Sequence, residues 1–147
     1  MADYFTNFSF IIALVSTDQQ DCAIKLFLQM SAIQQGEEIP ADFPASLQDV
    51  AEDCCFEVQA DGPNALWLHS SSGGIDAVCA FVQHLVQKFN LKPVTFEWSH
   101  DCSKPRTDAY GGGAAIIKAD EIQTMNTSDW LRTSLLKHEN VLLYVDR

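Results

Sequence analysis

The feature that most constrains the fold of this chain is an apolar stripe at residues 75–90. Six apolar residues recur there with helical spacing: Ile75, Val78, Val82, Leu85, Val86 and Phe89. Asn90 and Pro93 follow and end the pattern. Because the stripe occupies one side of a helical turn, it predicts an amphipathic helix that buries this side against another layer of the protein.

Apolar runs on both sides of this helix predict β-strands. Five runs are rich in β-branched and aromatic residues or alternate apolar with polar positions: FSFIIALV at 8–15, FEVQA at 56–60, ALWLH at 65–69, VTFEWS at 94–99 and GAAIIKA at 113–119. The residues at 61–64, DGPN, have the composition of a turn between the second and third runs. The final run, VLLYV at 141–145, is also typical of a strand.

A second long helix is predicted after the first strand. Thr17 and Gln20 fit a T-x-x-Q capping box, and Gly36 is suited to end the helix. One face between them is apolar: Ala23, Phe27, Met30 and Ile33. Shorter helices are predicted in SLQDVAED at 46–53 and from a cap at Asn126–Asp129 to about Lys137.

The element order predicts a single α+β domain over residues 1–147. Strand, helix, strand, strand, helix, strand is the split βαβ pattern of ferredoxin-like sandwiches, in which two helices cover one face of an antiparallel sheet. A C-terminal strand-helix extension follows, and an acidic connection at about 37–53 joins the first helix to the second strand. The alternation in the third strand places Trp67 and His69 on the face that the helices leave uncovered.

The net charge of −11 is concentrated in the first part of the chain. Residues 1–87 hold twelve acids and one base, whereas residues 88–147 hold eight of each. No lysine or arginine occurs at 26–87, and eight acids crowd residues 37–61: Glu37, Glu38, Asp42, Asp49, Glu52, Asp53, Glu57 and Asp61. Direct nucleic-acid binding is excluded, because it depends on basic residues. Solubility is the simplest explanation of these carboxylates, and a basic protein partner is the functional one.

The cysteines and the N-terminal run indicate a reduced, cytoplasmic protein. There are five cysteines, an odd number, and none forms a C-x-x-C pair, so no zinc ribbon or thioredoxin-type site is indicated. Cys22 and Cys79 fall in apolar helical patterns and are expected in the core. The run at 8–15 lacks the charged flank and cleavage site of a signal peptide and is too short to span a membrane. We expect no membrane contact, cofactor or metal. A zinc site at His69, His100 and Cys102 is a minor alternative.

The segment CSKPRTDAYGGG at 102–113 combines basic residues with a glycine run. It is not a P-loop, because Lys104 precedes the glycines and the glycines lead into a strand rather than a helix. We interpret it as a stiff turn in which Arg106 pairs with an acidic neighbour and the glycines allow close backbone packing. The alternatives are a ligand or protein contact made by Cys102, Lys104, Arg106 and Tyr110, and catalysis by Cys102 with His100 as a base.

The same segment carries a resemblance to a known family. Cys102-Ser103-Lys104-Pro105-Arg106, then Tyr110, Gly111-Gly112-Gly113-Ala114 and an A-D-E-I segment at 119–122 resemble the motif of small uncharacterised proteins of bacteriophages, plasmids and integrated elements. The resemblance covers roughly residues 56–130, about half the chain. It implies no reaction. It implies a mobile-element context, in which small acidic proteins often block host defence proteins.

These features favour a protein that works by binding and not as an enzyme. The leading hypothesis is a small acidic inhibitor from a mobile element, resembling an anti-CRISPR protein. Its eight carboxylates at 37–61 would occupy the basic groove of a host nucleic-acid-binding defence protein. The runner-up is a small-molecule or nucleotide binder that uses the 102–113 loop. A cysteine-dependent enzyme is the third hypothesis.

Overall fold

The computed structural model describes the backbone of residues 2–145 and the side chains of residues 2–139. Within these residues the chain forms six strands and three α-helices. The strands are β1 (Tyr4–Ala13), β2 (Glu57–Asp61), β3 (Ala65–Ser70), β4 (Val94–Cys102), β5 (Gly111–Ile117) and β6 (Ile122–Asn126). The helices are α1 (Thr17–Gln34), α2 (Ile75–Phe89) and α3 (Thr127–Val145), with short 3-10 helices at Ala45–Leu47 and Ala51–Asp53.

The strands form one antiparallel sheet in the order β2-β3-β1-β4-β5-β6. Because β3 lies between β1 and β2, helix α1 joins two parallel strands that are separated by one antiparallel strand. Helix α2 joins β3 to β4 across β1 in the same way. Strands β5 and β6 then extend the sheet beyond β4. The mixed α+β class predicted from the sequence is confirmed.

Helices α1 and α2 cover one face of the sheet and form the core with it. Leu66 and Leu68 of β3 are fully buried on this face, whereas Trp67 and His69 point to the opposite face, as the alternation predicts. The rings of Phe10 and Phe96 stack with centroids 4.6 Å apart and link β1 to β4. The apolar stripe of α2 is buried as predicted, and its central residues Val78, Val82 and Leu85 are fully buried.

The start of α1 lies one residue earlier than the predicted capping box. Ser16 is the N-cap, and its Oγ accepts a hydrogen bond from the Gln19 backbone N–H at 3.2 Å. The Gln19 side chain in turn accepts from the Val15 N–H at 3.0 Å. Thr17 is already helical, and Gln20 is buried, where its amide donates to two backbone carbonyls of the β2–β3 turn at 2.9 and 2.7 Å. A buried glutamine therefore fastens α1 to the sheet.

The C-terminal part differs most from the sequence prediction. The segment Ile122–Asn126, assigned to no element from its pattern, pairs with β5 as an edge strand. Asn126 caps α3 as predicted, since its Oδ1 accepts from the Asp129 N–H at 2.8 Å. The predicted strand at 141–145 is wrong, because α3 continues to Val145. No glycine or proline follows Gly113, so nothing in the sequence interrupts this helix.

Candidate protein-binding surface

The acidic connection between α1 and β2 is an ordered part of the protein. A Schellman arrangement ends α1, with the Gly36 N–H donating to Ile33 O at 2.9 Å and the Glu37 N–H to Ala32 O at 3.0 Å. The connection contributes five buried residues to the hydrophobic core: Phe43, Leu47, Ala51, Cys54 and Phe56. The connection is therefore held against the helices by buried contacts.

Phe56 anchors the end of this connection to both helices. Its ring lies 5.5 Å from the ring of Phe27 on α1 and 5.8 Å from that of Phe81 on α2. Such aromatic pairs contribute about 0.5–1.5 kcal/mol beyond their area of burial. The end of the connection is thus fixed to both helices at once.

All eight carboxylates of residues 37–61 are exposed while their backbone is anchored. They are Glu37, Glu38, Asp42, Asp49, Glu52, Asp53, Glu57 and Asp61. Among the described side chains, the one ion pair joins Arg132 to Asp129 in α3, so none of the eight is neutralised by a described lysine or arginine. The sequence prediction of an acidic, solvent-facing segment agrees with this arrangement. We call these eight residues the acidic surface.

Two parts of the acidic surface lie next to defined elements. Glu57 and Asp61 stand on β2, the edge strand of the sheet, opposite His69 and Ala65 of β3. The 3-10 helix that carries Glu52 and Asp53 lies against the start of α2, since a Cβ on Gly74 would lie 2.9 Å from Asp53 O. Negative charge near a helix N-terminus is favourable, so these two acids are compatible with a stable fold.

The uncovered face of the sheet is only partly apolar. Trp67 and His69 stack with ring centroids 4.0 Å apart, and the Trp67 indole N–H donates to Ser9 Oγ at 2.8 Å. Ile11, paired with Trp67, is 59% exposed. These side chains form a small apolar area beside the acidic strand β2.

The 102–113 loop does not form an anion cradle. Lys104 and Arg106 are exposed, and the Tyr110 hydroxyl closes the loop by donating to Lys104 O at 3.2 Å. The neighbouring hollow of about 320 Å³ is lined by Asp101 and Asp108 and by neither basic residue. The expected ion pair of Arg106 is not found among the described side chains. A phosphate-bearing ligand is therefore disfavoured in this hollow.

The glycine run has a packing role. A Cβ on Gly112 would overlap the backbone carbonyl oxygen of Trp98 and lie 3.3 Å from Ser99 Cα. Only a residue without a side chain lets β5 approach β4 this closely. The predicted close backbone packing is thus present.

The histidines and Cys102 do not assemble into a catalytic or metal site. His100 Nδ1 and Thr6 Oγ1 form a hydrogen bond of 2.8 Å, and among the described side chains no hydrogen bond joins His100 to Cys102. On β1, Thr6 pairs with His100 and Ser9 pairs with His69; being three residues apart, they point to opposite faces. His69 and His100 therefore cannot bind one ion. In the described range, no three His, Cys, Asp or Glu side chains are grouped as metal ligands.

The five cysteines are all free thiols in very different surroundings. Cys54 and Cys79 are buried, and burial raises the pKa of each thiol to about 11, which makes both poor nucleophiles at neutral pH. Cys55 is exposed, although it follows Cys54 directly. Cys22, expected in the core, is only half-buried, so that prediction is wrong.

A hollow of about 610 Å³ lies where β1 and β4 separate. Their paired register ends at Asn7 and Ser99, and the hollow opens between residues 11–15 and residues 89–95. Its lining contains one ionisable side chain, Lys92. Without a group of convergent polar residues, this hollow does not resemble a catalytic site.

Helix α3 presents a surface that the sequence prediction missed. Four large apolar side chains on it are 55–60% exposed: Trp130, Leu131, Leu135 and Leu136. The sequence prediction divided this stretch between a short helix and a strand. The run of residues 114–147 without glycine or proline is compatible with one continuous helix, but no feature of the sequence shows that its apolar side chains stay uncovered.

No protein-family model, curated protein or solved structure matches this chain. None of the helices in the described range has both the length and the apolar character needed to cross a lipid bilayer. The function is therefore inferred from the surfaces of the molecule.

Proposed function

We propose that this protein is a small acidic binding protein that occupies a basic surface of a protein partner. The observation that carries the proposal is the acidic surface itself. Eight exposed carboxylates project from a segment that Phe43, Leu47 and Phe56 anchor in the core. These carboxylates are negatively charged like the phosphates of a nucleic-acid strand, although they are a different chemical group.

Anchoring of the segment favours binding. A flexible acidic tail would lose backbone freedom on complex formation, at about 1–2 kcal/mol for each residue that becomes fixed. Here Phe43, Leu47 and Phe56 already fix the backbone that carries the acids. The field of the carboxylates extends over a Debye length of about 8 Å at physiological salt and accelerates the approach of a basic partner.

We also infer that residues 4–102 form a ferredoxin-like core. The support is the strand order β2-β3-β1-β4, with α1 and α2 each joining two strands across an intervening one. Strands β5 and β6 and helix α3 are additions to this core. In such a sandwich the helix layer and the uncovered sheet face are separate surfaces. The acids from Glu37 to Asp53 lie in the connection that packs against the helices, whereas Glu57 and Asp61 share the uncovered face with His69 at the β2 edge.

The identity of the partner is proposed from the family resemblance and from charge. Proteins that hold nucleic acid carry the basic grooves that an acidic surface fits. The resemblance of the 102–122 segment to proteins of mobile elements makes a cytoplasmic host defence protein, such as a CRISPR surveillance complex, the proposed partner. The protein would then act as an inhibitor that denies the groove to nucleic acid.

The two alternative functions are less well supported by the geometry. A nucleotide binder needs cations around its site, and the hollow beside Tyr110 offers Asp101 and Asp108 instead. A cysteine enzyme needs a thiol hydrogen-bonded to a base, and among the described side chains His100 bonds to Thr6 and not to Cys102. Binding of a protein partner through the eight exposed carboxylates of the acidic surface is therefore the function that we propose.

A capture experiment with matched variants tests this proposal. The bait is the immobilised chain, and the first variant reverses five carboxylates of the acidic surface to lysine: Glu37, Glu38, Asp42, Asp49 and Glu52. The control reverses five exposed acids elsewhere: Glu97, Asp101, Asp108, Asp120 and Glu121. Both variants change the net charge equally. We expect a basic, nucleic-acid-binding protein to be retained by wild type and control and lost by the first variant. Equal retention by all three baits would contradict the proposal.

A further inference from the structure

Strand β6 is an unprotected edge of the sheet. It ends the strand order, and its residues Ile122–Asn126 include no charged side chain. The opposite edge, β2, carries Glu57 and Asp61, the kind of residues that prevent edge-to-edge pairing. The backbone groups along the outer side of β6 are therefore available to another strand.

Helix α3 follows β6 directly and packs little against its own sheet. It has 19 residues and is thus about 28 Å long. Of its side chains at 127–139, only Ser134 is not exposed. Trp130, Leu131, Leu135 and Leu136 are each 55–60% exposed, and Leu131 and Leu135, one turn apart, share one side of the helix. Covering these side chains would remove apolar surface from water, which favours association.

The strand and the helix form one continuous surface. A hollow of about 310 Å³ lies between them, lined by Thr124, Met125, Asn126, Asp129, Trp130 and Thr133. A molecule that pairs with β6 would therefore lie next to α3, beginning with Trp130. We call residues 122–139 the C-terminal surface.

We propose that the C-terminal surface binds the same surface of a second copy of this chain. Antiparallel pairing of two identical β6 strands about a twofold axis makes an isologous contact, in which each copy uses the same residues. The sheet would continue from one copy into the other, and the two α3 helices would cover each other. A standard interface needs about 800 Å² from each partner, which a five-residue strand together with a 28 Å helix can supply.

Charge decides between a second copy and a basic partner. The C-terminal surface is neutral, since Asp129 and Glu139 balance Arg132 and Lys137. It therefore offers no attraction to a basic protein. Two copies of a chain with a net charge of −11 repel each other where their acidic surfaces come close. Strand β6 is five strand spacings, about 24 Å, from the acidic edge strand β2. This distance is about three Debye lengths, so repulsion between the acidic edges is largely screened when two β6 strands pair.

This inference does not depend on the proposed function, although the two combine. Copies joined at β6 would carry their β2 edges, with Glu57 and Asp61, at opposite ends of the shared sheet. One dimer would thus present two acidic surfaces. Loss of the dimer and loss of partner capture are separate results, because the residues concerned lie at opposite ends of the sheet.

Sedimentation of the full chain tests the proposal. Wild type is measured at about 1 and about 100 µM, a range that covers micromolar dimers. We expect a species of about twice the 16.3 kDa chain mass at the higher concentration. Leu131→Glu with Leu135→Glu, and separately Met125→Lys on the strand, should each weaken association at least about tenfold. The matched control is Leu28→Glu on α1, since Leu28 and Leu131 are both 60% exposed; it should leave the dimer unchanged.

Hydrogen exchange gives a second readout that is specific for strand pairing. Amides of β6 should exchange more slowly at high than at low protein concentration, and Met125→Lys should abolish this difference. A monomer at both concentrations would overturn the proposal, and the C-terminal surface would then be a binding site for a different protein. A dimer that survives both C-terminal variants, or that Leu28→Glu disrupts equally, would overturn it too.

Discussion

The indole ring of Trp98 on β4 lies over Gly113, its paired residue on β5. A Cβ on Gly113 would lie 2.6 Å from Cε2 of Trp98 and 2.5 Å from the carbonyl oxygen of Met125. The neighbouring Gly112 approaches the Trp98 backbone on the other side of the strand. The glycine run thus serves the packing between β4, β5 and β6, and its position beside Lys104 and Arg106 is not a sign of phosphate binding.

This packing predicts that the glycines matter for stability and the basic residues do not. Gly113→Ala and Gly112→Val should each lower the free energy of unfolding by about 1–3 kcal/mol, because the added atoms overpack a closed site. Lys104→Ala with Arg106→Ala should stay within about 0.5 kcal/mol, since both side chains are exposed. Urea denaturation followed by circular dichroism measures all three. A larger cost for the double alanine variant would reverse this interpretation.

The buried amide of Gln20 predicts a second effect on stability. Gln20→Ala leaves the carbonyls of Gly62 and Ala65 without their donor, which should cost about 1–3 kcal/mol in the same denaturation experiment. The control is Gln34→Ala at the exposed end of α1, expected near zero. If both variants melt like wild type, Gln20 does not fasten α1 to the β2–β3 turn.

The thiols should differ in reactivity in the native state. We expect five free cysteines after denaturation without a reductant, since all are unpaired in the structure. In the folded protein, Cys55 should be labelled first by a thiol reagent, whereas Cys54 and Cys79 should be protected by burial and by their raised pKa values. Mass spectrometry of a labelling time course measures this order. Fewer than five thiols would reveal a disulfide and contradict the account.

The same two thiols predict an alkaline loss of stability. Burial raises the pKa of Cys54 and Cys79 from 9.0 to about 11, so each favours folding while its proton is retained. The unfolded chain releases these protons above pH 9. The stabilisation is therefore complete below pH 9 and is lost as the pH rises towards 11. The free energy of unfolding, measured between pH 8 and 11, should fall more steeply for wild type than for Cys54→Ala with Cys79→Ala. Identical slopes would refute the linkage.

Much of the fold could be predicted because its elements have clear patterns. The stripe from Ile75 to Phe89 gave the bounds of α2 to within a residue, and alternation in β3 separated Leu68 from Trp67 correctly. The cap of α1 was misplaced because Ser16 and Thr17 are both good caps, and only the backbone shows which side chain accepts the Gln19 N–H. Strand β6 was missed because pairing with β5, and not its own composition, makes it a strand.

The negative charge of the acidic surface could be predicted from the sequence, but the packing of its backbone against the helices could not. The absence of bases at 26–87 identified the acidic stretch directly. Its attachment to the helices depends on Phe43, Leu47 and Phe56, which lie in a segment without a helical or strand period. Long-range packing of such isolated apolar residues has no local signal in one sequence. The exposed face of α3 was hidden for a related reason, since exposure depends on which elements fail to cover it.

The central claim is that the acidic surface binds a basic partner by electrostatic attraction. The most direct test is a titration of the captured partner at two salt concentrations with wild type, with the five-lysine variant of Glu37, Glu38, Asp42, Asp49 and Glu52, and with the matched control variant. Circular dichroism checks that all three fold, since exposed charges add little to stability. We predict that affinity falls with salt for wild type and control, and that the first variant binds at least about tenfold more weakly with a smaller salt dependence. Unchanged affinity together with an unchanged salt dependence would show that the acidity serves solubility alone.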